Sequence, residues 1–122
     1  MDNKDFITQL NRAQDLMSQA KYKEAFILLE NLKEIEKNSD FDYNLIHRLY
    51  QLYSNCYSLY NQKVILKHID KISKSSSSVT FHELKNEIDE IELEEAILER
   101  EIELLILRGD LSCRIVKDKI IF

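Results

Sequence analysis

Residues 99–122, EREIELLILRGDLSCRIVKDKIIF, decide the predicted fold. In the first half of this stretch, apolar side chains recur every three or four positions, which predicts an amphipathic helix over about 92–108. Gly109 follows as its C-cap, because glycine adopts the left-handed backbone conformation at little cost. Residues 111–116 and 119–122 are rich in β-forming side chains and flank a polar pair, so they predict a β-hairpin.

The preceding residues complete a small domain. Residues 79–84, VTFHEL, predict a one- or two-residue strand that enters a helix, with Thr80 and Glu83 at the spacing of a capping box. Residues 62–73 place three isoleucines on one face and predict another helix, which the flexible SKSSSS segment follows. Helix, short strand, helix, helix and hairpin is the element order of a winged helix. We therefore predict a carboxy-terminal winged-helix subdomain over residues 62–122.

The first half of the chain predicts helices only. Residues 4–19 and 22–37 each carry apolar side chains on one face, so they predict a helical hairpin. Within it, AQDLMSQAKYKEAFILLENL, residues 13–32, resembles one tetratricopeptide unit. A third helix is predicted over about 43–60. The predicted fold class is mainly α: this helical-repeat segment, residues 1–61, packs on the winged helix with its small β-hairpin wing.

A stripe of four tyrosines runs along the predicted third helix beside its apolar stripe. Such a stripe is a candidate platform for stacking bases or another ligand. We favour packing in the core or in an interface, because tyrosine rings can pack while their hydroxyl groups stay in water. The four residues are Tyr50, Tyr53, Tyr57 and Tyr60.

Composition and charge narrow the classes of protein to which the chain can belong. The 122 residues are 44% hydrophobic and 32% charged, as in a folded soluble protein, and the net charge is -5. This acidity argues against free nucleic acid as the default partner. Cys56 and Cys113 are far apart and follow no metal or disulfide pattern, so we expect reduced thiols, although a disulfide stays open. The polar start MDNKDFITQL is unlike a signal peptide, and we expect a cytoplasmic protein that can also enter the nucleus.

The side chains that carry chemistry do not form a catalytic or metal-binding motif. HELKN, residues 82–86, begins like the zinc-protease helix, but Asn86 stands where the second histidine would bind zinc. His47, His68 and His82 show no ligand spacing among themselves or with the cysteines. No glycine-rich phosphate loop is present, since the chain has one glycine. We therefore expect neither an enzyme nor a bound cofactor or metal.

The carboxy-terminal pattern resembles the PCI-domain family, which occurs in subunits of the proteasome lid, the deneddylating signalosome and a translation initiation factor complex. The matching residues are Glu101, Leu104, Ile106, Gly109, Leu111, Cys113, Arg114 and Ile115. Val116 departs from the family, whose members carry aspartate there, and family subunits have many more helical repeats. The chain is thus a minimal relative, a truncated one or a convergent winged helix. The resemblance implies a non-enzymatic scaffold role, in which winged helices align sheet edge to sheet edge.

We predict that the chain associates with other proteins, or with itself, through the wing and the acidic helix. KIIF, residues 119–122, is short and apolar, and as an outer strand it would offer unpaired N–H and C=O groups to a neighbour. The predicted wing contacts are Leu111, Cys113, Ile115, Ile120, Ile121 and Phe122. The predicted rim contacts are Glu99, Glu101 and Glu103, although for most acidic residues of this helix we favour a solvated helix face.

The alternative is a nucleic-acid-associated winged-helix regulator. Its candidate contacts are Lys63, Lys67, Lys71, Arg114, Lys117 and Lys119. Charge argues against reading DNA through the third helix, because residues 81–108 hold ten acidic and three basic side chains, a net of -7. Lysines on the water side of an amphipathic helix are also ordinary without any ligand.

Overall fold

The structure of the protein is a computed structural model that describes residues 1–122. The prediction of a mainly α fold with a small antiparallel sheet is confirmed. The helices are α1 Asn3–Ser18, α2 Tyr22–Lys37, α3 Tyr43–Ser73, α4 Phe81–Glu87 and α5 Glu95–Leu107, and the strands are β1 Ser78–Thr80, β2 Arg114–Val116 and β3 Lys119–Ile121. The chain forms two compact units, Met1–Tyr60 and Asn61–Phe122. Whether 1–61 and 62–122 are separate domains stays a prediction.

The amino-terminal unit is built from α1, α2 and the first part of α3. Asp2 caps α1, since its side chain accepts a hydrogen bond from the backbone N–H of Asp5. The rings of Phe6 and Phe41 stack with centroids 4.3 Å apart. The buried core consists of Phe6, Leu10, Ala13, Ala25, Leu29, Leu32, Phe41, Leu49 and Cys56. Removing these side chains from water is the main favourable contribution to folding of this unit.

The predicted tyrosine stripe packs against α2. Phe26 stacks on Tyr53 and on Tyr60, with ring centroids 5.3 and 6.2 Å apart. The Tyr53 hydroxyl donates to the Glu30 carboxylate at 2.8 Å, and burial together with this hydrogen bond raises the pKa of Tyr53 to about 12. The Lys33 ammonium lies 3.8 Å from the centroid of the same ring. The tyrosine stripe is therefore explained by the packing of its rings against side chains of α2.

The turn between α1 and α2 stores backbone strain at Ala20. This residue has φ 60°, in the left-handed region that favours glycine. The Ala20 N–H donates to the Met17 carbonyl at 3.0 Å, and the Lys21 N–H donates to the Leu16 carbonyl at 2.9 Å. This pair of bonds is the Schellman motif, which usually places glycine at the position of Ala20.

We expect Ala20→Gly to stabilise the protein by up to about 1 kcal/mol, because glycine removes the cost of a Cβ atom in the left-handed conformation. The gain is the balance between this relief and the greater freedom of glycine in the unfolded chain. Urea denaturation followed by circular dichroism measures it. Ser18→Gly, inside α1, is the matched control and should destabilise. Equal losses from both substitutions would contradict the assignment of strain to Ala20.

One continuous helix replaces the two that the sequence predicts over 43–60 and 62–73. Helix α3 runs without interruption through Asn61 and Gln62, and both residues are buried. The predicted break is therefore wrong. Its physical reason is that asparagine costs a helix only a few tenths of a kcal/mol and the segment contains neither glycine nor proline.

The carboxy-terminal unit combines the end of α3 with α4, α5 and the sheet. Thr80 and Glu83 form the predicted capping box at the start of α4. Gly109 has φ 79°, and its N–H and that of Asp110 donate to the carbonyls of Ile106 and Leu105. This is again a Schellman motif, and it confirms the predicted role of the glycine. The fully buried large apolar side chains of the unit are Ile65, Leu84, Leu98, Ile102, Leu105 and Ile120.

Strand β3 lies in the centre of the sheet, not at its edge. The strand order is β1-β3-β2, and both pairings are antiparallel. Ile120 opposes Val79 on one side and Ile115 on the other. The prediction that KIIF offers an outer edge is therefore wrong, because β1 covers the edge that the hairpin alone would leave open. The open edges belong to β1 and β2.

Candidate interaction surface

Helix α5 exposes leucines on the side opposite its buried face. Leu104 is 40% exposed and Leu107 is 82% exposed. The two lie three residues apart, so they are neighbours on the helix surface. Sequence reasoning singled out Leu104 only within the family pattern and missed Leu107. The signal was present, because Leu107 falls outside the stripe formed by Leu98, Ile102 and Leu105.

Glu101 lies inside the unit, which corrects its prediction as a rim contact. Its side chain is 1% exposed, and its carboxylate accepts a hydrogen bond from Gln62 Nε2 at 2.8 Å. The Gln62 amide oxygen accepts in turn from the Arg108 guanidinium. Arg100 adds an ion pair to Glu101 at 3.5 Å. The position follows from helix geometry, since Glu101 shares the buried face with Leu98 and Leu105.

The other two predicted rim residues belong to an acidic row along α5. Glu95, Glu99 and Glu103 follow at four-residue intervals, which places them on adjacent turns of one face. Glu103 is exposed and Glu99 is half-buried. Because like charges at this spacing repel, the row opposes helix formation by a few tenths of a kcal/mol per pair.

A cleft of about 380 Å³ lies beside the amino-terminal end of the acidic row. Its lining residues are Phe81, His82, Glu95, Ala96, Glu99, Lys117 and Asp118. His82 Nδ1 lies 2.9 Å from a Glu95 carboxylate oxygen, and its Nε2 lies 3.2 Å from the Asn86 amide nitrogen. Hydrogen-bond chemistry then requires that Nδ1–H donates to Glu95 and that Nε2 accepts from Asn86. His82 and Asn86 of the HELKN motif are thus joined to Glu95 of α5 by hydrogen bonds.

The predicted wing residues fall into an alternating pattern. Leu111, Cys113 and Ile115 are half-buried. Arg114, which lies between Cys113 and Ile115, and Val116, which follows Ile115, are exposed. Both cysteines are free, and burial raises the pKa of the Cys113 thiol. Among the other predicted wing contacts, Ile120 is fully buried and Ile121 and Phe122 are half-buried. Ile120 is therefore a core residue, while β2 presents the open edge of the wing.

The predicted lysine face is exposed but carries nearby carboxylates. Lys67 lies 3.5 Å from Glu90, and Lys71 lies 3.5 Å from Glu87. Lys63 is exposed on the same helix. The remaining candidates for nucleic-acid contact, Arg114, Lys117 and Lys119, are exposed on β2, on the following turn and on β3. The carboxylates lower the positive potential that a phosphate would meet at the lysine face.

His68 forms a cluster with two carboxylates that sequence reasoning missed. Its Nε2 lies 2.6 Å from a Glu90 carboxylate oxygen, and a carboxylate oxygen of Asp89 completes a group of three potential ligand atoms that lie within 4.8 Å of one another. A metal could be held only by these three residues, and two observations disfavour it. Nδ1 of His68 is buried without a hydrogen-bond partner, whereas metal-bound histidines use that nitrogen as a donor. The Lys67 ammonium also repels a cation there.

We expect the Glu90 carboxylate to make stability depend on acid pH. The hydrogen bond from His68, supported by Asp89 and Lys67, lowers the pKa of Glu90 from 4.5 to about 2. Since the folded-state pKa is lowered, the stabilisation is complete above about pH 4.5 and disappears as the pH falls towards 2. Relative to the parent protein, Glu90→Gln should therefore lose most stability near pH 6 and little near pH 2.

Urea denaturation of Glu90→Gln and the parent protein across this pH range measures the difference. Glu92→Gln, at an exposed carboxylate, is the control and should change stability equally little at every pH. A Glu90→Gln effect that is independent of pH would show that the His68 contact does not stabilise the ionised carboxylate.

Comparison with known proteins assigns neither a family nor a function to the chain. A scan against models of known families finds no match, and searches of curated proteins and of solved structures find no significant match either. None of the five helices combines the length and apolar character that a membrane-spanning segment requires. A function for the chain therefore has to be argued from its own residues.

Proposed function

We propose that the chain is a non-enzymatic assembly subunit that binds other proteins through α5 and the open edge of β2. The observation that carries this proposal is the exposure of Leu104 and Leu107 on α5. Full burial of an exposed leucine side chain is favourable by about 1.5–3 kcal/mol. A partner surface that covers Leu107 could therefore gain free energy of this order. The cytoplasm is the proposed location, where the two free thiols stay reduced.

The order of helices and strands supports two finer parts of the predicted fold, the winged helix and the tetratricopeptide-like hairpin. The order α3, β1, α4, α5, β2, β3 and the sheet order β1-β3-β2 are those expected of a winged helix. Buried Ala13 and Ala25 on the α1–α2 pair agree with a tetratricopeptide-like hairpin. Together these features support the resemblance to PCI-domain subunits, in which winged helices hold a complex together.

The open edge of β2 supplies the second part of the proposed surface. Its outer side has no strand partner, so a partner strand could add main-chain hydrogen bonds there. Exposed Arg114 and Val116 flank half-buried Ile115 on this strand, and they would give the pairing its side-chain preference. The edge is three residues long, which is short enough to limit indiscriminate pairing.

Affinity capture with matched variants tests the proposal. Tagged protein, Leu104→Asp with Leu107→Asp, and the control Ile27→Asp would be used to capture partners from the native lysate after nuclease treatment. Ile27 is also an exposed apolar residue, but it lies on α2 in the other unit. A defined set of proteins should survive nuclease, persist with the control and disappear with the double variant.

Two results would contradict the proposal. A partner set that is the same for all three proteins would exclude the leucine face of α5. Partners lost on nuclease treatment, and also with Lys67→Glu and Lys71→Glu, would instead support the nucleic-acid regulator.

A further inference from the structure

Two rows of opposite charge on the carboxy-terminal unit share one spacing. The acidic row on α5 is Glu95, Glu99 and Glu103, and the lysine row on α3 is Lys63, Lys67 and Lys71. Each row repeats every four residues and spans about 12 Å along its helix. The rows therefore match in length, in number of charges and in the pitch of the charges.

We propose that the acidic row of one copy binds the lysine row of a second copy. This inference rests on the proposed function, because it names a second copy of the chain as a partner of the α5 face. The contact brings each carboxylate towards an ammonium group, and it covers Leu107, which continues the acidic row by one more four-residue step. A helix–helix contact of this kind is heterologous, since the two partners use different surfaces.

Both rows are accessible to a partner. The side chains of Lys67 and Lys71 are 73% and 75% exposed, and their contacts with carboxylates of the same chain are long, at 3.5 Å. Such exposed pairs contribute little and exchange readily. On the acidic row, Glu95 contacts the His82 ring, and that contact leaves half of its side chain in solvent. The contacts of Lys67 and Lys71 within their own chain are therefore weak.

Helix geometry permits the rows to lie along each other. Residues four apart on a helix form ridges inclined at about -26° to the axis. When two helices cross at about -50°, the commonest packing angle, such ridges on the two surfaces become parallel. The contact relieves the repulsion between like charges within each row. Exposed ion pairs are individually weak, so the association should be reversible and sensitive to salt.

Sedimentation velocity over a concentration series tests this inference on the full chain. At low ionic strength the protein should associate reversibly, and at about 0.5 M salt its dissociation constant should rise at least about tenfold, because salt screens exposed charges. Glu99→Lys with Glu103→Lys should abolish the association. So should Lys67→Glu with Lys71→Glu.

Combining the two reversals in one chain is the decisive variant, because it exchanges two of the three charges in each row and restores the parent net charge of -5. The exchanged protein should associate again. Asp15→Lys with Glu24→Lys changes the net charge as the acidic reversal does, but at exposed residues of the other unit, and it should still associate. If circular dichroism shows that the exchanged chain is unfolded, an equimolar mixture of the two reversed proteins replaces it and should associate.

Three results would overturn the inference. They are a monomer at every concentration, an association that survives either reversal, and a failure of both the exchanged chain and the mixture to restore binding. A monomer whose lysate partners still depend on Leu104 and Leu107 overturns this inference alone. Lysate partners that are indifferent to both leucines overturn the proposed function instead.

Discussion

Ile120→Ala should destabilise the carboxy-terminal unit by about 2–5 kcal/mol, the range for removing a buried isoleucine side chain to the β-carbon. Ile120 is fully buried at the middle of β3, opposite Val79 and Ile115 on the two flanking strands. Truncation leaves a cavity in the middle of the central strand, at the one residue of β3 that is fully buried. Urea denaturation followed by circular dichroism measures the change.

Val116→Ala is the matched control for this prediction. Val116 lies in the neighbouring strand β2 and is 43% exposed, so its truncation should change stability by no more than about 0.5 kcal/mol. A loss below about 1 kcal/mol for Ile120→Ala would be inconsistent with a central, fully buried β3.

Asn61→Leu should stabilise the protein by about 1–3 kcal/mol, the cost of leaving a buried polar group without a hydrogen bond. Asn61 is 1% exposed in the middle of α3, and neither its amide oxygen nor its amide nitrogen has a hydrogen-bond partner. Leucine keeps the branched shape of asparagine, with methyl groups in place of the amide oxygen and nitrogen, and it has a better helix propensity, so it removes the polar cost without creating a cavity. Thermal and urea denaturation both report the gain.

Asn55→Leu separates this effect from helix propensity. Asn55 lies on the same helix but is exposed, so the substitution should give only the few tenths of a kcal/mol that propensity provides. If Asn61→Leu lowered the stability, the amide would have hydrogen-bond partners in solution, and a bound water molecule would be the first to seek.

Features that depend on neighbouring residues were predicted well from the sequence. Helix α2 has the predicted bounds, 22–37, because its apolar periodicity ends at polar turns on both sides. The capping box of Thr80 and the left-handed Gly109 also follow from local chemistry, since each needs only a few adjacent residues. The two-residue turn at Lys117 was placed correctly for the same reason.

Features that depend on distant residues were not predictable in this way. The burial of Glu101 requires Gln62, which lies 39 residues earlier. Strand β3 is central only because β1, far away in the sequence, pairs with its second edge. The His68–Glu90 contact also joins two segments that no local pattern connects. Of the candidate surface, the sequence therefore identified the acidic helix and the wing, but not which of their residues face solvent.

The central position of β3 has a consequence for the order in which the sheet forms. The β2–β3 hairpin closes a loop of only two residues, and hairpins of this kind form in microseconds. Pairing β1 with β3 must instead close a loop that runs from Thr80 to Lys119. The longer closure costs more chain entropy, so the hairpin should form first and then serve as the template on which β1 adds. Pulsed hydrogen exchange would detect this sequence as early protection of the hairpin amides, and simultaneous protection of both ladders would argue for a single concerted step.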